Sequence, residues 1–358
     1  MGPLEGIKIV EIEALGPAPV CGMILADLGA EVTLVERRSG NSNAAGPHHA
    51  DSQQSMFYKR GKKRIALDLK IPDSIEAVLS LVEQADVLIE GFRPGVMERL
   101  GLGPDVCLAR NERLIYGRQS GWGQTGPLAH AAGHDINYIA LAGALYYAGH
   151  EGEAPFTPAT VVGDIGGGAM TLAIGILAAL QHAHRSGEGQ VIDAAITDGA
   201  AYMMTLLESA RHAGWFSEPR GSSALTGGAP WYQSLECADG EYVTIGSLEP
   251  QFYRLLLEKC GLQNDPAFAT QHSKADWPQA LETIKNLFRQ KTRTEWRELL
   301  EGTDVCFAPV LSLPEAARHP HNIARENFVE IDGRVQPAPA PKFSKTPAKA
   351  GRVGELES

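Results

Sequence analysis

The opening of the chain sets the strongest limit on its fold. GIKIVEI (6–12) is a short β-rich apolar run, and PVCGMILADLGA (19–30) has helical apolar spacing and closes on a glycine. EVTLVER (31–37) is a second β-rich run. Two strands joined by one crossover helix lie parallel, so the sequence predicts a parallel α/β sheet. Glu36 ends the second strand, where a ribose-binding acid would stand. The intervening loop, EALGPAP, lacks the G-x-G-x-x-G that lets a pyrophosphate reach the helix start. The pattern therefore predicts the sheet and argues against NAD.

More α/β punctuation follows. ADVLIEGF (85–92) reads as a buried strand, and RPGVMERLGLGP as a helix with proline at an early position. RLIYGRQSGWGQTGP (113–127) is a strand running into a glycine-rich loop. An apolar segment follows GHD, then a strongly apolar helix from about Gly166 to His182, the strand GQVIDAAI (189–196) and a long helix from Asp198 to about Trp215. RGSSALTGGAP (220–230) has linker composition. Beyond it, WYQSLECADGEYVTIGSL alternates on both sides of Asp239-Gly240, a strong hairpin signal, and helical spacing returns in PQFYRLLLEKCGL and over Trp277–Leu300. The expected division is a large domain over 1–197, a linker helix and loop over 198–230, a small α+β domain over 231–312 and a final segment over 313–358, whose PAPAPKFSKTP is extended.

Composition narrows the function classes. With 44% hydrophobic and 21% charged residues, the 358-residue chain has a soluble, globular balance. Five scattered cysteines without a CxxC pair argue against a zinc site or disulfide framework and imply a reducing, cytoplasmic setting. No signal pattern, no peroxisomal C-terminus and no apolar run of membrane-spanning length is read from the chain. A formal net charge of −11 argues against nucleic-acid binding. YKRGKKR (58–64) packs five cations into seven residues, and is read as a solvated basic surface or as a patch for a phosphate-bearing ligand.

Two acids draw attention. His134 and Asp135 stand together in AAGHDINYIA, and Asp164 follows in VVGDIGGGAM, each at the mouth of an apolar stretch. Helix N-capping accounts for the aspartates, whose short carboxylates accept bonds from first-turn N–H groups. Histidine is a poor cap, so His134 is either a satisfied core residue or an acid–base group. The neighbouring glycines of GWGQTGP and GDIGGG would let a ligand approach the backbone, and free N–H groups at a helix start can hold a developing oxyanion.

GWGQTGP, GHDINY, GDIGGG, GEGQVIDAAITDG, ADVLIEGFRPGVMERLG and SLEPQFY together resemble the CaiB–BaiF family, or family III CoA transferases, and more narrowly its α-methylacyl-CoA racemase branch. The resemblance covers nearly the whole chain. It implies a Rossmann-like large domain, a small domain joined by long linkers, a C-terminal return to the large domain and an interlocked homodimer. The active site would lie between the large domain of one subunit and the small domain of the other. It makes His134 and Asp164 the two bases, has Glu249 orient or charge-tune His134, and gives Asp135 a role through its backbone N–H, which would receive the thioester oxygen. Arg37, Leu69, Lys70, Arg93, Arg99 and Leu100 fall on the family's CoA-binding positions, with the 58–64 run at most a neighbouring patch. Thr160 departs from the asparagine that close relatives carry there. Met203 and Met204 are candidates for an apolar acyl surface, no stronger than as core residues. No redox or metal cofactor is implied. Coenzyme A enters as part of the acyl-CoA substrate.

The implied reaction explains the unlike acids. Inverting a centre next to a thioester removes a proton from one face and returns one to the other, so each face needs its own group. A histidine and a carboxylate can share one proton near neutral pH, and either direction can then begin. The enolate between the two steps needs donors, each worth roughly 3 kcal/mol by analogy with oxyanion holes. Two other readings compete. In the family's transferases the aspartate matching Asp164 is a nucleophile that forms a mixed anhydride, a role that needs no base at His134. A non-catalytic CoA- or nucleotide-binding protein would keep the cations and need no His134–Glu249 pair.

Overall fold

The computed structural model describes residues 2–37, 57–216 and 219–357. Two units divide the chain. The first holds Met1–Ala144, Pro158–Met204 and Pro320–Ser358, and the second Leu145–Thr157 and Thr205–His319.

In the first unit the predicted crossover forms: β1 (Lys8–Ile12), α1 (Pro17–Asp27) and β2 (Glu31–Arg37). β3 (Lys62–Leu67), α2 (Pro72–Val82), β4 (Val87–Glu90), α3 (Val96–Arg99), α4 (Pro104–Arg110) and β5 (Ile115–Ser120) continue it. α5 (Asp135–Leu141), a π-helical segment (Val161–Met170), α6 (Thr171–Ser186), β6 (Gln190–Ala195) and α7 (Ile196–Met203) follow. The strands pair in the order β3-β2-β1-β4-β5-β6, all parallel. Successive side chains of one strand enter opposite faces of the sheet, and both faces are covered. Ile9 packs with Cys21, Leu25, Leu172 and Ile176 on one side, while Val10 and Ile12 pack with Val78, Leu79 and Tyr116 on the other.

Three helices differ from expectation. Proline does not open α3: the helix starts at Val96, after Gly95 turns the chain at φ 81°. The apolar helix expected over Gly166–His182 runs as one 26-residue helix over Val161–Ser186, long and apolar enough to cross a membrane by length and composition. That overturns the reading that no run reaches such a length. Leu172, Ile176, Ala179 and Ala183 of this helix are buried in the core on the sheet. The long helix expected over Asp198–Trp215 is two, α7 and α8 (Thr205–His212), broken at Met204, where the chain passes from the first unit to the second.

The second unit contains β7 (Tyr232–Glu236), β8 (Tyr242–Gly246), α9 (Pro250–Cys260), α10 (Trp277–Phe288), α11 (Arg293–Leu300) and β9 (Phe307–Pro309). β7 and β8 form the hairpin read around Asp239-Gly240, and β9 completes an antiparallel sheet. Its core holds Trp231, Ile284, Phe288 and Trp296, with Trp296 stacked on Phe288 at 4.2 Å and donating its indole N–H to the Phe288 carbonyl at 2.8 Å. The large parallel sheet with a smaller α+β unit is the α/β architecture expected.

The last segment returns to the first unit through β10 (Phe328–Ile331), β11 (Arg334–Pro337) and β12 (Leu356–Glu357), which pairs parallel with β3. The basic run at 58–64 takes part in that docking, which corrects its reading as a solvated patch. Lys59, Arg60, Lys62 and Arg64 are all buried, and only Lys63 among the five cations is well exposed. Lys62 pairs with Glu11, Lys59 and Arg64 pair with Glu36, and Arg60 pairs with Asp27. Arg60 also donates to the Gln336 side chain and the Pro337 carbonyl, each at 2.8 Å, and Arg64 to the Gly354 carbonyl at 3.1 Å. A buried cation has to be paired, and these pairings occupy the charge that a phosphate would need.

Candidate active site

Parallel strands end on one edge of their sheet, and the order reverses between β1 and β4. That is where doubly wound sheets take their ligands. Gly91, just past β4, meets the loop after β1 there: a Cβ on it would stand 2.7 Å from the Ala14 methyl. The six expected CoA positions all fall on this edge. Arg37 ends β2, with its backbone N–H held by Glu13 at 3.0 Å. Leu69 and Lys70 follow β3, and Arg93, Arg99 and Leu100 lie on the passage from β4 through α3. Arg37, Lys70, Arg93 and Arg99 are exposed, while Leu69 and Leu100 rest on the core.

A clasp that the sequence did not suggest holds that passage. Arg118, buried on β5, donates to Glu90 at 2.9 Å and to Glu98 at 2.8 Å, so it brackets the turn carrying Arg93. Glu90 also accepts from the Phe92 N–H at 2.6 Å. Burial raises the Glu90 pKa against the pull of these donors. The available signal was a lone arginine inside the apolar strand at 115–120.

His134 and Asp164 come from two helix starts on the same edge. His134 is the N-cap of α5 and is exposed; its backbone N–H donates to the Asn137 side chain at 3.0 Å. His134 thus holds the N-cap position, and the bond made there is the reverse one, from its own backbone N–H to the Asn137 side chain. Asp135 is the first residue of the helix rather than its cap, and its carboxylate points to the second site. Asp135 Oδ1 accepts from the Asp164 backbone N–H at 2.7 Å. Asp164 lies in the first turn of the π-helical segment, with Oδ2 accepting from the Thr160 hydroxyl at 2.9 Å. Gly16, in the loop before α1, faces that same oxygen.

Partial burial raises the Asp164 pKa above the usual aspartate value; Thr160 and His134 pull it down, and Asp135 pushes it up. Tyr138, four residues past His134, was also missed. Its phenol donates to the Gly133 carbonyl, its ring meets Trp122 edge-on at 4.7 Å, and burial with the nearby Asp164 raises its pKa. Glu249 belongs to the second unit, exposed at the N-cap of α9 and close enough to Cys306 to raise the thiol's pKa after burial has done so. Met203 is half-exposed rather than core, with its sulfur against Gly166, two residues past Asp164.

The model of CoA-transferase family III matches residues 4–353. The chain belongs to CoA-transferase family III. Among family III proteins, it is 44% identical to a mouse α-methylacyl-CoA racemase, over 96% of this chain and 87% of that protein. It is 42% identical to the human protein of that name, with the same coverage. It thus sides with the racemase branch its motifs resemble. A crystal structure of a CaiB/BaiF family protein from Brucella suis matches with a TM-score of 0.84 at 28% identity, covering 99% of this chain and 96% of that one. The family III fold expected from the motifs is therefore the fold of this chain.

Proposed function

We propose that this protein is an isomerase interconverting the (R) and (S) forms of 2-methylacyl-CoA thioesters by 1,1-proton transfer through an enolate. His134 and Asp164 are the two acid–base groups. One observation carries the reading: an exposed imidazole at one helix start and a carboxyl of raised pKa at the next are joined through Asp135. A carboxyl whose pKa is raised toward that of an imidazole exchanges a shared proton at smaller cost, so either face can begin as base. The Asp135 N–H has no partner inside its own helix, as at every helix start, and receives the thioester oxygen as the enolate forms.

Arg37, Lys70, Arg93 and Arg99 hold the CoA phosphates along the strand ends, with Leu69 and Leu100 beside them and Met203 under the acyl chain. Glu249 orients His134 from the small domain of a second copy in an interlocked homodimer. The five cysteines are free, which fits a cytoplasmic enzyme.

The test uses one epimer of a 2-methylacyl-CoA in heavy water, without an acceptor acid. Deuterium at the α-carbon together with drift toward an equal epimer mixture is the expected result. Absence of exchange, with CoA appearing on an added carboxylic acid, would overturn it in favour of Asp164 as a transferase nucleophile.

A further inference from the structure

We infer that the carboxylate of Asp135, as distinct from its backbone N–H, is a positioning residue that fixes Asp164 relative to His134. The inference rests on the proton-transfer reading and extends it to a side chain outside the reacting pair.

Asp164 sits in the first turn of a helix, where a backbone N–H has no partner from its own helix and takes one from elsewhere. Asp135 Oδ1 supplies it at 2.7 Å, from a side chain that is only 7% exposed. Because Asp135 follows His134 directly, this bond ties the two acid–base residues through a single intervening residue. The approach requires glycine at 163: a Cβ there would stand 2.5 Å from Asp135 Oδ1 and 2.9 Å from the Ile139 side chain. Tyr138 secures the other side of His134 by donating to the Gly133 carbonyl. His134 therefore lies between two anchored residues, one bonded to Tyr138 and one to Asp164. Around the Asp164 carboxyl, α5 contributes His134, Asp135 and Tyr138, the preceding turn Thr160, and the loop before α1 Gly16.

A neutral acceptor would serve a purely structural bond equally well, and a buried carboxylate beside a second carboxyl is electrostatically unfavourable. The charge shortens and strengthens the bond, while a neutral amide oxygen in the same place keeps its geometry less tightly, which is the modest loss that Asp135→Asn reads. Holding reacting groups in place matters because a misplacement of about 1 Å can cost about 10²-fold in rate.

The test compares Asp135→Asn, which keeps an acceptor oxygen, with Asp135→Ala, which removes it, in the full-length enzyme with a 2-methylacyl-CoA epimer. Both retain the backbone N–H, so they separate it from the carboxylate. Asp135→Ala is expected to lower kcat by about 10²-fold with KM within about twofold, while Asp135→Asn stays within about fivefold of wild type. Gly163→Ala, which drives a methyl against the same carboxylate, should repeat the kcat loss even if Asp135→Ala fails to fold. Wild-type kcat in Asp135→Ala, or equal loss in the Ala and Asn variants, overturns the inference while leaving proton transfer intact. Absence of α-deuterium exchange in wild type overturns the parent reading and the inference together.

Discussion

Lys62 on β3 and Glu11 on β1 form an ion pair that straddles β2, with both side chains wholly out of solvent and Lys62 Nζ 2.8 Å from Glu11 Oε1. The ammonium also donates to the Pro19 carbonyl at 2.8 Å, so it joins two strands to the start of α1. Burial raises the Glu11 pKa and lowers that of Lys62, and each partner's charge opposes that shift in the other. Lys62→Met leaves Glu11 buried without its cation and is expected to cost about 3–5 kcal/mol. Adding Glu11→Met should recover most of that loss, because no charge then remains buried. Urea unfolding of the two variants checks it: a double variant no more stable than the single one would show that the pair's environment, and not the orphaned charge, sets the cost.

Thr160 controls how far the Asp164 carboxyl departs from its usual range. Burial raises that pKa, and the Thr160 hydroxyl, by donating to Oδ2, favours the ionised form and opposes the rise. Thr160→Ala removes the opposing bond, so the pKa moves further up. Asp164 acts as a base only when ionised, and that form is lost as pH falls through its pKa. In the direction where Asp164 takes the proton, the acid limb of kcat/KM is therefore expected at higher pH in Thr160→Ala, with Thr160→Ser restoring it. A limb that stays in place in the alanine variant would remove Thr160 from the proton-transfer machinery.

The Glu90–Arg118–Glu98 clasp predicts a binding effect. Glu98 is partly exposed and lies on α3, one residue before Arg99. Releasing it frees the passage that carries Arg93 and Arg99, while His134 and Asp164 sit on other elements. Glu98→Gln is expected to raise KM for the CoA thioester by roughly 5–10-fold, about 1 kcal/mol, with kcat unchanged. Titration with CoA alone should show the same loss. A fall in kcat with KM unchanged would mean that the clasp supports the chemistry and not the cations.

The parallel sheet was legible because its signals are local. Ile9, Val10 and Ile12 form a continuous buried strand, and the crossover helix has its own apolar spacing, so neither needs information from elsewhere. The candidate acids stood out for a related reason, since each lies within a short motif at a helix start, but the roles proposed for them came from the resemblance of those motifs and not from the pattern. The basic run was not, because its partners Glu11, Asp27 and Glu36 come 23–51 residues earlier, and nothing within 58–64 distinguishes a paired cation from a solvated one. The same holds for the Asp135–Asp164 bond, which spans 29 positions. The break at Met204 was hidden because Asp198–Trp215 keeps a helical composition on both sides of it.

His134 and Asp164 serve opposite faces of one carbon in the proposed reaction, so removing one should not silence the other. In His134→Ala, Asp164 can still take the α-proton from the epimer that presents it and return a deuteron to the same face. Inversion has no donor on the far face. Interconversion of epimers is expected to fall by about 10²–10⁴-fold, the usual contribution of a general acid or base, while one epimer alone continues to gain α-deuterium with its configuration kept. Separating the epimers after incubation in heavy water reads both quantities from one sample. If inversion and exchange fall together in both epimers, a single group serves both faces and the two-acid assignment is wrong. Residual exchange confined to one epimer identifies Asp164 as the base on that face, since no imidazole remains at position 134 to perform it.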